Sequence, residues 1–163
     1  MKTAMTGHTS GIGLSLFEQL SPNVKGFSRG TGYDINSYED RAKIITESKD
    51  CDVFINNAYS GFSQTYMLIE LFREWKHLNK TIINVGSQAS ELSLPEDHLH
   101  LLTYQAEKIV LREMTNKLQG WNCKVVYKWF GYVGTDAIKA AYPHFTSKDY
   151  ISTDQAASII LGK

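Results

Sequence analysis

Residues 6–13 read Thr-Gly-His-Thr-Ser-Gly-Ile-Gly and separate a short apolar run from an apolar stretch with helical spacing. The sequence thus places a glycine-rich turn between a strand and a helix. Glycines there let the backbone approach a pyrophosphate, while unpaired N–H groups at the helix N-terminus attract negative charge. The turn predicts a dinucleotide-binding domain, although its Gly-x-x-x-Gly-x-Gly order differs from the Gly-x-Gly-x-x-Gly fingerprint. The alternative is a tight turn without a ligand.

Length and composition indicate one globular domain spanning 1–163. The chain has 163 residues, of which 42% are hydrophobic and 21% charged, enough for a core of its own. Seventeen basic and 17 acidic residues give zero formal charge, which argues against a nucleic-acid partner. No apolar run approaches the roughly 20 residues of a membrane span, and no signal peptide is evident. We therefore expect a cytoplasmic protein with no membrane partner.

Short β-rich runs alternate with stretches of helical spacing, a pattern that predicts an α/β fold with a parallel sheet. The predicted strands are Lys2–Met5, Val24–Phe27, a weak one at Tyr33–Ile35, Asp52–Asn56, Thr81–Val85 and Lys124–Trp129. The predicted helices are Gly11–Leu20, Ser37–Lys49, about Phe62–Leu78, about Leu101–Leu118 and Thr153–Leu161. We expect Asn36 to open the second helix, and a capping box of Ser152 and Gln155 to open the last.

Four motifs occur in the order typical of one family: the turn Thr6-Gly7-x-x-x-Gly11-Ile12-Gly13, the run Asn56-Asn57-Ala58, Ser87, and Tyr104-x-x-x-Lys108. The sequence resembles the short-chain dehydrogenase/reductase family from the first strand to the segment 131–135. The resemblance implies a Rossmann-like doubly wound parallel sheet flanked by helices, in an unusually short member with a trimmed C-terminal substrate region. It also implies an NAD(P)-dependent oxidoreductase whose substrate is a small carbonyl or alcohol.

The candidate catalytic residues are Ser87, Tyr104 and Lys108. Tyr104 and Lys108 are one helical turn apart, so their side chains can converge on one face. A cation beside a phenol lowers the phenol pKa from its ordinary value near 10. The resemblance implies that Ser87 hydrogen-bonds the substrate, that Tyr104 transfers a proton, and that Lys108 tunes Tyr104 and holds the nicotinamide ribose. The alternatives are an ordinary amphipathic helix and a serine that caps a strand end.

The cofactor residues implied by the resemblance follow the strand ends and include two of the catalytic residues. They are Gly7, Thr9, Ser10, Gly11, Ile12, Gly13, Ser28, Arg29, Asp34, Ile35, Asn57, Ala58, Tyr104, Lys108, Gly131, Val133 and Thr135.

Two observations bear on the choice of cofactor. Asp34 lies about 20 residues beyond the glycines, where an acid favours NAD. Ser28 and Arg29, however, follow the second strand directly, and a guanidinium matches a 2′-phosphate. In the family a similar Ser-Arg pair goes with NADP, and Asp34-Ile35 resembles a later pair beside the adenine. We therefore expect NADP(H) to be favoured over NAD(H).

The helix before Ser87 departs from the family because it lacks the asparagine of a proton relay. The nearest polar residues are Ser63, Gln64 and Thr65. The interval between Ser87 and Tyr104 is long and carries Leu94-Pro95-Glu96-Asp97, followed by His98 and His100. Two histidines without a third ligand indicate a solvated loop, so we expect no metal.

The C-terminal part is too brief for the usual substrate lid. We expect Tyr142, Pro143, His144, Phe145 and Tyr150 to form a small replacement wall. Met67, Phe72 and Trp75 share an apolar stripe, and the family pairs such helices between subunits, so we expect a homodimer or homotetramer. The alternative function is a catalytically impaired dinucleotide-binding sensor or scaffold protein.

Overall fold

A five-stranded parallel sheet forms the centre of the protein, and the computed structural model describes residues 1–93 and 96–163. The strands are β1 (Thr3–Thr6), β2 (Val24–Phe27), β3 (Val53–Asn56), β4 (Thr81–Val85) and β5 (Lys124–Lys128). Their order is β2-β1-β3-β4-β5, and all neighbours are parallel. The order reverses between β1 and β3, which opens a crevice at their carboxyl ends. The predicted doubly wound α/β fold is confirmed.

The described residues include six α-helices, of which all but the short fifth one cover the two faces of the sheet. They are α1 (Gly11–Leu20), α2 (Tyr38–Glu47), α3 (Ser63–Trp75), α4 (Leu102–Lys117), α5 (Asp136–Ala141) and α6 (Thr153–Leu161). Consecutive strand residues point to opposite faces. Phe54 accordingly packs with α2, α3 and α4, whereas Ile55 packs with α1 and α6. None of the described helices is long and apolar enough to cross a membrane.

The weak strand expected at Tyr33–Ile35 is absent from the sheet. The Asp34 N–H donates to the Asp40 side chain at 3.0 Å, and the Ile35 carbonyl accepts from Arg41 at 2.7 Å. Both backbone groups are thus satisfied by side chains rather than by a neighbouring strand. The apolar character of the segment reflects burial, because Ile35 is in the core and the Tyr33 ring packs edge-on against Phe27.

The five predicted helices begin close to the expected residues, except that α2 has a different cap, and α5 (Asp136–Ala141) was not predicted. Ser37, not Asn36, caps α2, because its hydroxyl accepts from the Asp40 N–H. The Asn36 amide instead donates to Ser60, which is distant in sequence. Ser152 and Gln155 form the expected capping box at α6.

The apolar stripe of α3 is covered within the chain. Met67 is 0%, Phe72 5% and Trp75 2% exposed. The expectation that these three residues meet another copy is wrong, because the sheet and the neighbouring helices already bury them. The more exposed apolar residues near this helix are Phe62 and Tyr66.

Candidate active site

A cleft of about 620 Å³ lies beyond the carboxyl ends of β1, β2 and β3. Most of the predicted cofactor residues line it, namely Gly7, Thr9, Ser10, Gly11, Ile12, Gly13, Ser28, Arg29, Asp34, Ile35, Asn57, Ala58 and Thr135. Residues that the sequence did not indicate also line it: Phe27, Gly30, Tyr33, Tyr59, Ser60, Asp136 and Ala137. Of the other four predicted cofactor residues, Val133 is buried in the core, Gly131 lies beside Gln88, and Tyr104 and Lys108 lie on α4 outside the lining of this cleft.

The glycine turn can accommodate no side chain at its closest point. A Cβ at Gly13 would overlap the Gly7 carbonyl oxygen, and Gly7 itself has a left-handed φ of 73°. Such a conformation is readily adopted only by glycine. Ser10 precedes α1 in an extended conformation, and its side chain makes no capping hydrogen bond. The first N–H groups of α1 and the Ser10 hydroxyl are therefore available to an anion.

Asn57 braces this turn from the end of β3. Its side-chain amide donates to the carbonyls of Thr6 and Gly7, each at 3.2 Å. The Thr6 hydroxyl in turn accepts the backbone N–H groups of Asn57 and Ala58 at 3.1 and 3.0 Å. The first and third strands are thereby fixed to one another at the floor of the cleft.

The end of β2 presents a cation to the cleft. Ser28 and Thr31 cap each other across a short 3-10 turn that begins at Arg29. The Arg29 side chain is exposed, and the arginine ion pairs found in residues 1–93 and 96–163 belong to Arg41 and Arg112. Its guanidinium fork is therefore free for a phosphate or carboxylate ligand.

Ser87 follows β4 and is held by Tyr127, a residue that sequence reasoning missed. The Ser87 N–H donates to Tyr127 Oη at 3.3 Å, and Tyr127 Oη also contacts Ser90 Oγ at 3.1 Å. A Cβ at Gly86 would overlap the Tyr127 ring. Gly86 thus allows Tyr127 to cross from β5 and fix the backbone of Ser87. A glycine directly before the serine was the available signal.

Tyr104 and Lys108 both face this region from α4. Burial raises the pKa of Tyr104, while a side-chain hydrogen bond with Ser87 acts in the opposite direction. Lys108 is 4% exposed, and burial lowers the pKa of its ammonium to about 8. The ammonium lies 5.7 Å from the centre of the Tyr104 ring. Burial is thus the largest influence on the Tyr104 pKa, and the opposing influence comes from Ser87 rather than from the Lys108 ammonium.

Gln64 contacts Lys108 from α3, the helix that lacks the expected asparagine. Its side-chain oxygen accepts from Lys108 Nζ at 2.7 Å, and its amide donates to the carbonyls of Asn56 and Val85 at 2.7 and 3.0 Å. Beyond it, Asn56 Nδ2 donates to Asn84 Oδ1 at 2.9 Å. Lys108 thus rests on a buried layer of neutral amides. Gln64 was among the three polar residues noted in the sequence, and its long side chain makes the contact direct.

Aromatic rings gather in the C-terminal segment expected to replace the lid. The Tyr142 and Phe145 rings stack at 4.8 Å, and Tyr132 packs edge-on against Phe145 at 4.9 Å. Tyr150 lies against Gly134. Of the interval before Tyr104, Leu94 and Pro95 lie outside the described residues. Within the part of the chain that the structure describes, no three metal-binding side chains cluster.

The chain has the fold of solved short-chain dehydrogenases. It matches a short chain dehydrogenase from Burkholderia cenocepacia J2315 in complex with NADP at a TM-score of 0.79 and 19% identity, covering 99% of this chain and 85% of that one. A small-chain dehydrogenase in complex with NADPH matches at a TM-score of 0.76 and 17% identity, covering 99% of this chain and 90% of that one. A Burkholderia phymatum short chain dehydrogenase/reductase in complex with NAD matches at a TM-score of 0.73 and 15% identity, covering 99% of this chain and 84% of that one. No protein-family model and no curated protein matches the sequence.

Proposed function

We propose that this chain belongs to the short-chain dehydrogenase/reductase family and is an NAD(P)-dependent oxidoreductase acting on a small carbonyl or alcohol. The observation that carries the proposal is the convergence of Ser87, Tyr104 and Lys108 next to a cleft built around the glycine turn. Tyr59 joins the two parts, because it lines the cleft and its ring centre lies 5.1 Å from that of Tyr104. The shared fold, found in proteins solved with NADP, NADPH or NAD, supports the same function.

The residues that line the cleft support binding of a nicotinamide dinucleotide. The glycine turn and the start of α1 would hold the pyrophosphate, since side chains there would fill the space. Arg29 and the Ser28 hydroxyl would hold a 2′-phosphate, which supports NADP(H) as the favoured cofactor. Asp34 also lines the cleft, but its Oδ1 accepts the Asn36 N–H at 2.9 Å and is therefore partly engaged.

The protonation state of Tyr104 suits carbonyl reduction. A bound nicotinamide cofactor supplies the hydride in this chemistry. Because burial raises the pKa of Tyr104, its phenol is protonated at neutral pH and can donate its proton to the substrate oxygen. The Ser87 hydroxyl would hydrogen-bond that oxygen, and the Lys108 ammonium would supply positive charge near the Tyr104 ring. The cluster of Tyr132, Tyr142 and Phe145 would offer an aromatic wall to the substrate.

A fluorescence titration with NADPH and, in parallel, NADH at fixed ionic strength tests the cofactor part. We expect saturable binding of both, with NADPH tighter. NADPH oxidation with a panel of small aldehydes and ketones then tests the chemistry. Tyr104→Phe keeps the ring and removes the proton, so it should abolish turnover while leaving the NADPH Kd within about twofold. Absence of binding to either cofactor would overturn the proposal.

A second candidate, a dinucleotide-binding sensor or scaffold without turnover, is favoured by one observation. The closest hydrogen bond of Lys108 Nζ goes to Gln64, whereas the Tyr104 ring centre is 5.7 Å away. This function predicts tight NADPH binding with no oxidation of the cofactor by any carbonyl, and no reduction of NADP⁺ by any alcohol.

Assembly and location complete the proposal. Phe62, Tyr66 and Val110 are 41%, 51% and 37% exposed on or beside α3 and α4, which supports pairing of the chain into a homodimer or homotetramer. A monomeric mass by light scattering at micromolar concentration would contradict this assembly. We propose a cytoplasmic location because the proposed cofactor is an intracellular metabolite.

A further inference from the structure

Tyr59 makes contacts that the proposed chemistry has not yet used. It follows Ala58 in the segment between β3 and α3, and its hydroxyl donates to Glu107 Oε2 at 2.5 Å. Glu107 stands beside Lys108 on α4 and is 7% exposed. A buried carboxylate that accepts a phenolic hydrogen bond holds the phenol in one orientation. The Tyr59 ring is therefore fixed to the helix that carries both Tyr104 and Lys108.

The Tyr59 ring contacts both of these residues. Lys108 Nζ lies 4.9 Å from the centre of the ring, over its face. The Tyr104 ring meets Tyr59 edge-on, with 5.1 Å between centres and an interplanar angle of 81°. A cation over a ring face and an edge-on aromatic pair are both attractive arrangements. One side chain thus covers the ammonium and supports the phenol.

The segment that carries Tyr59 is anchored on its other side as well. Asn36 Nδ2 donates to Ser60 Oγ, and Ser63 Oγ donates to Asn36 Oδ1, each at 2.8 Å. The segment is tied to the start of α2 through Ser60 and to α4 through Tyr59. These ties hold the ring in place at the boundary between the cleft and the catalytic group.

We propose that Tyr59, anchored by Glu107, is a positioning residue that covers the Lys108 ammonium and orients the Tyr104 ring for proton transfer. The effect that we expect on kcat rests on the proposed function. The groups that face Lys108 are Glu107 and Tyr104 from α4, Tyr59 itself, the neutral Gln64 from α3 and the Val85 carbonyl of β4. Tyr127 of β5 contacts only the Lys108 carbonyl. Burial, to which the Tyr59 ring contributes, lowers the pKa of Lys108, whereas the negative charge of Glu107 raises it.

The experiment measures two independent quantities. Selective ¹³C labelling of lysine gives the Lys108 titration by NMR, with the signal assigned by its loss in Lys108→Arg, and steady-state kinetics give kcat and KM. Tyr59→Ala admits water to the ammonium, and this hydration should outweigh the lost cation–ring attraction because burial is the largest influence on Lys108. The Lys108 pKa should therefore rise by about one unit, and kcat should fall about tenfold. Glu107→Gln keeps an acceptor for Tyr59 but removes a negative charge, so the Lys108 pKa should fall. Opposite shifts are not expected from general loosening of the fold.

Two further variants complete the test. Tyr59→Phe keeps the ring but loses the hydrogen bond to Glu107, so the Lys108 pKa should stay close to the wild-type value. We expect kcat to fall two- to threefold, roughly the effect of one weakened orienting contact. Tyr38→Ala removes another exposed tyrosine, outside the cleft and the catalytic group, and should change neither quantity. If Tyr59→Ala leaves both the Lys108 pKa and kcat at their wild-type values, the proposal is overturned. If Tyr59→Ala fails to fold, a Lys108 pKa displaced by a full unit in Tyr59→Phe would overturn it. If the wild type shows no turnover, the proposed function fails separately, and the titration alone decides the role of Tyr59.

Discussion

Lys108 Nζ donates to Gln64 Oε1 at 2.7 Å, so a neutral amide is the closest hydrogen-bonding partner of the buried ammonium. Gln64 cannot reverse its amide without loss, because its Nε2 is committed to the carbonyls of Asn56 and Val85. The oxygen of Gln64 is thereby held toward Lys108. This arrangement gives the site a cation that is hydrogen-bonded but not neutralised.

Gln64→Leu should therefore destabilise the protein more than an ordinary glutamine substitution. The change removes a partner from one ammonium and two carbonyls in the interior, and we expect the free energy of unfolding to fall by about 2–4 kcal/mol. Urea denaturation measures this loss. Gln19→Leu, at a partly exposed position of α1, is the matched control and should stay within about 0.5 kcal/mol of the wild type. Equal effects of the two variants would contradict the assigned geometry.

The burial of Lys108 predicts a specific dependence of stability on pH. The folded-state pKa of about 8 lies below the ordinary value of 10.5. Between these values the unfolded chain binds more protons than the folded one, so stability rises with pH through this window. The contribution of Lys108 is about 1.4 kcal/mol per pH unit there.

The variant Lys108→Met isolates this contribution. The free energy of unfolding of the wild type, relative to that of Lys108→Met, should increase by about 2–3 kcal/mol between pH 8 and pH 10.5. Chemical denaturation of both proteins at several pH values measures the difference, in which the other titrating groups cancel. A difference independent of pH would show that Lys108 keeps an ordinary pKa in the folded protein.

Gly13→Ala should disrupt the cleft, because its Cβ would overlap the Gly7 carbonyl oxygen. The turn must move, and with it the N–H groups proposed to hold the pyrophosphate. We expect NADPH affinity to fall by more than about tenfold in the fluorescence titration.

Gly120→Ala is the control for this substitution. Gly120 has a φ of 85° but open space around its Cβ position, so alanine there should cost about 1 kcal/mol of stability without affecting NADPH. Equal NADPH affinity in Gly13→Ala and Gly120→Ala would exclude the turn as the binding element.

Arg29→Asp should reverse the cofactor preference. The substitution replaces a free guanidinium at the end of β2 with a carboxylate that repels a 2′-phosphate and accepts from ribose hydroxyls. The ratio of NADPH to NADH affinity should fall by about tenfold or more. An unchanged ratio would refute the assignment of Arg29 to the 2′-phosphate. Arg73→Asp, on α3 away from this cleft, controls for net charge.

Local signals predicted most of the fold. The bounds of β2, β4, α1 and α6 agree with the sequence patterns, because apolar periodicity and capping residues act over a few neighbouring positions. The prediction of a strand at Tyr33–Ile35 was wrong for a related reason. Its apolar residues indicated burial, but side chains of Asp40 and Arg41 take the hydrogen bonds that a neighbouring strand would have made.

The candidate site could be predicted only where its residues form a contiguous motif. The glycine turn and the Tyr104-Lys108 spacing are of that kind. The Gln64–Lys108 and Tyr59–Glu107 contacts join residues 44 and 48 positions apart, and Tyr127 reaches Ser87 across 40. Such contacts depend on how α3, α4 and β5 pack, and no local pattern encodes that packing.

The two outer strands of the sheet carry lysines, with Lys25 on β2 and Lys124 and Lys128 on β5. An outer strand can pair with a strand of another molecule and start aggregation, and charged side chains oppose this because they would be buried together. Replacing Lys124 and Lys128 with threonine would remove that protection on the β5 side. We therefore expect these lysines to oppose backbone pairing between molecules at the two outer strands of the sheet.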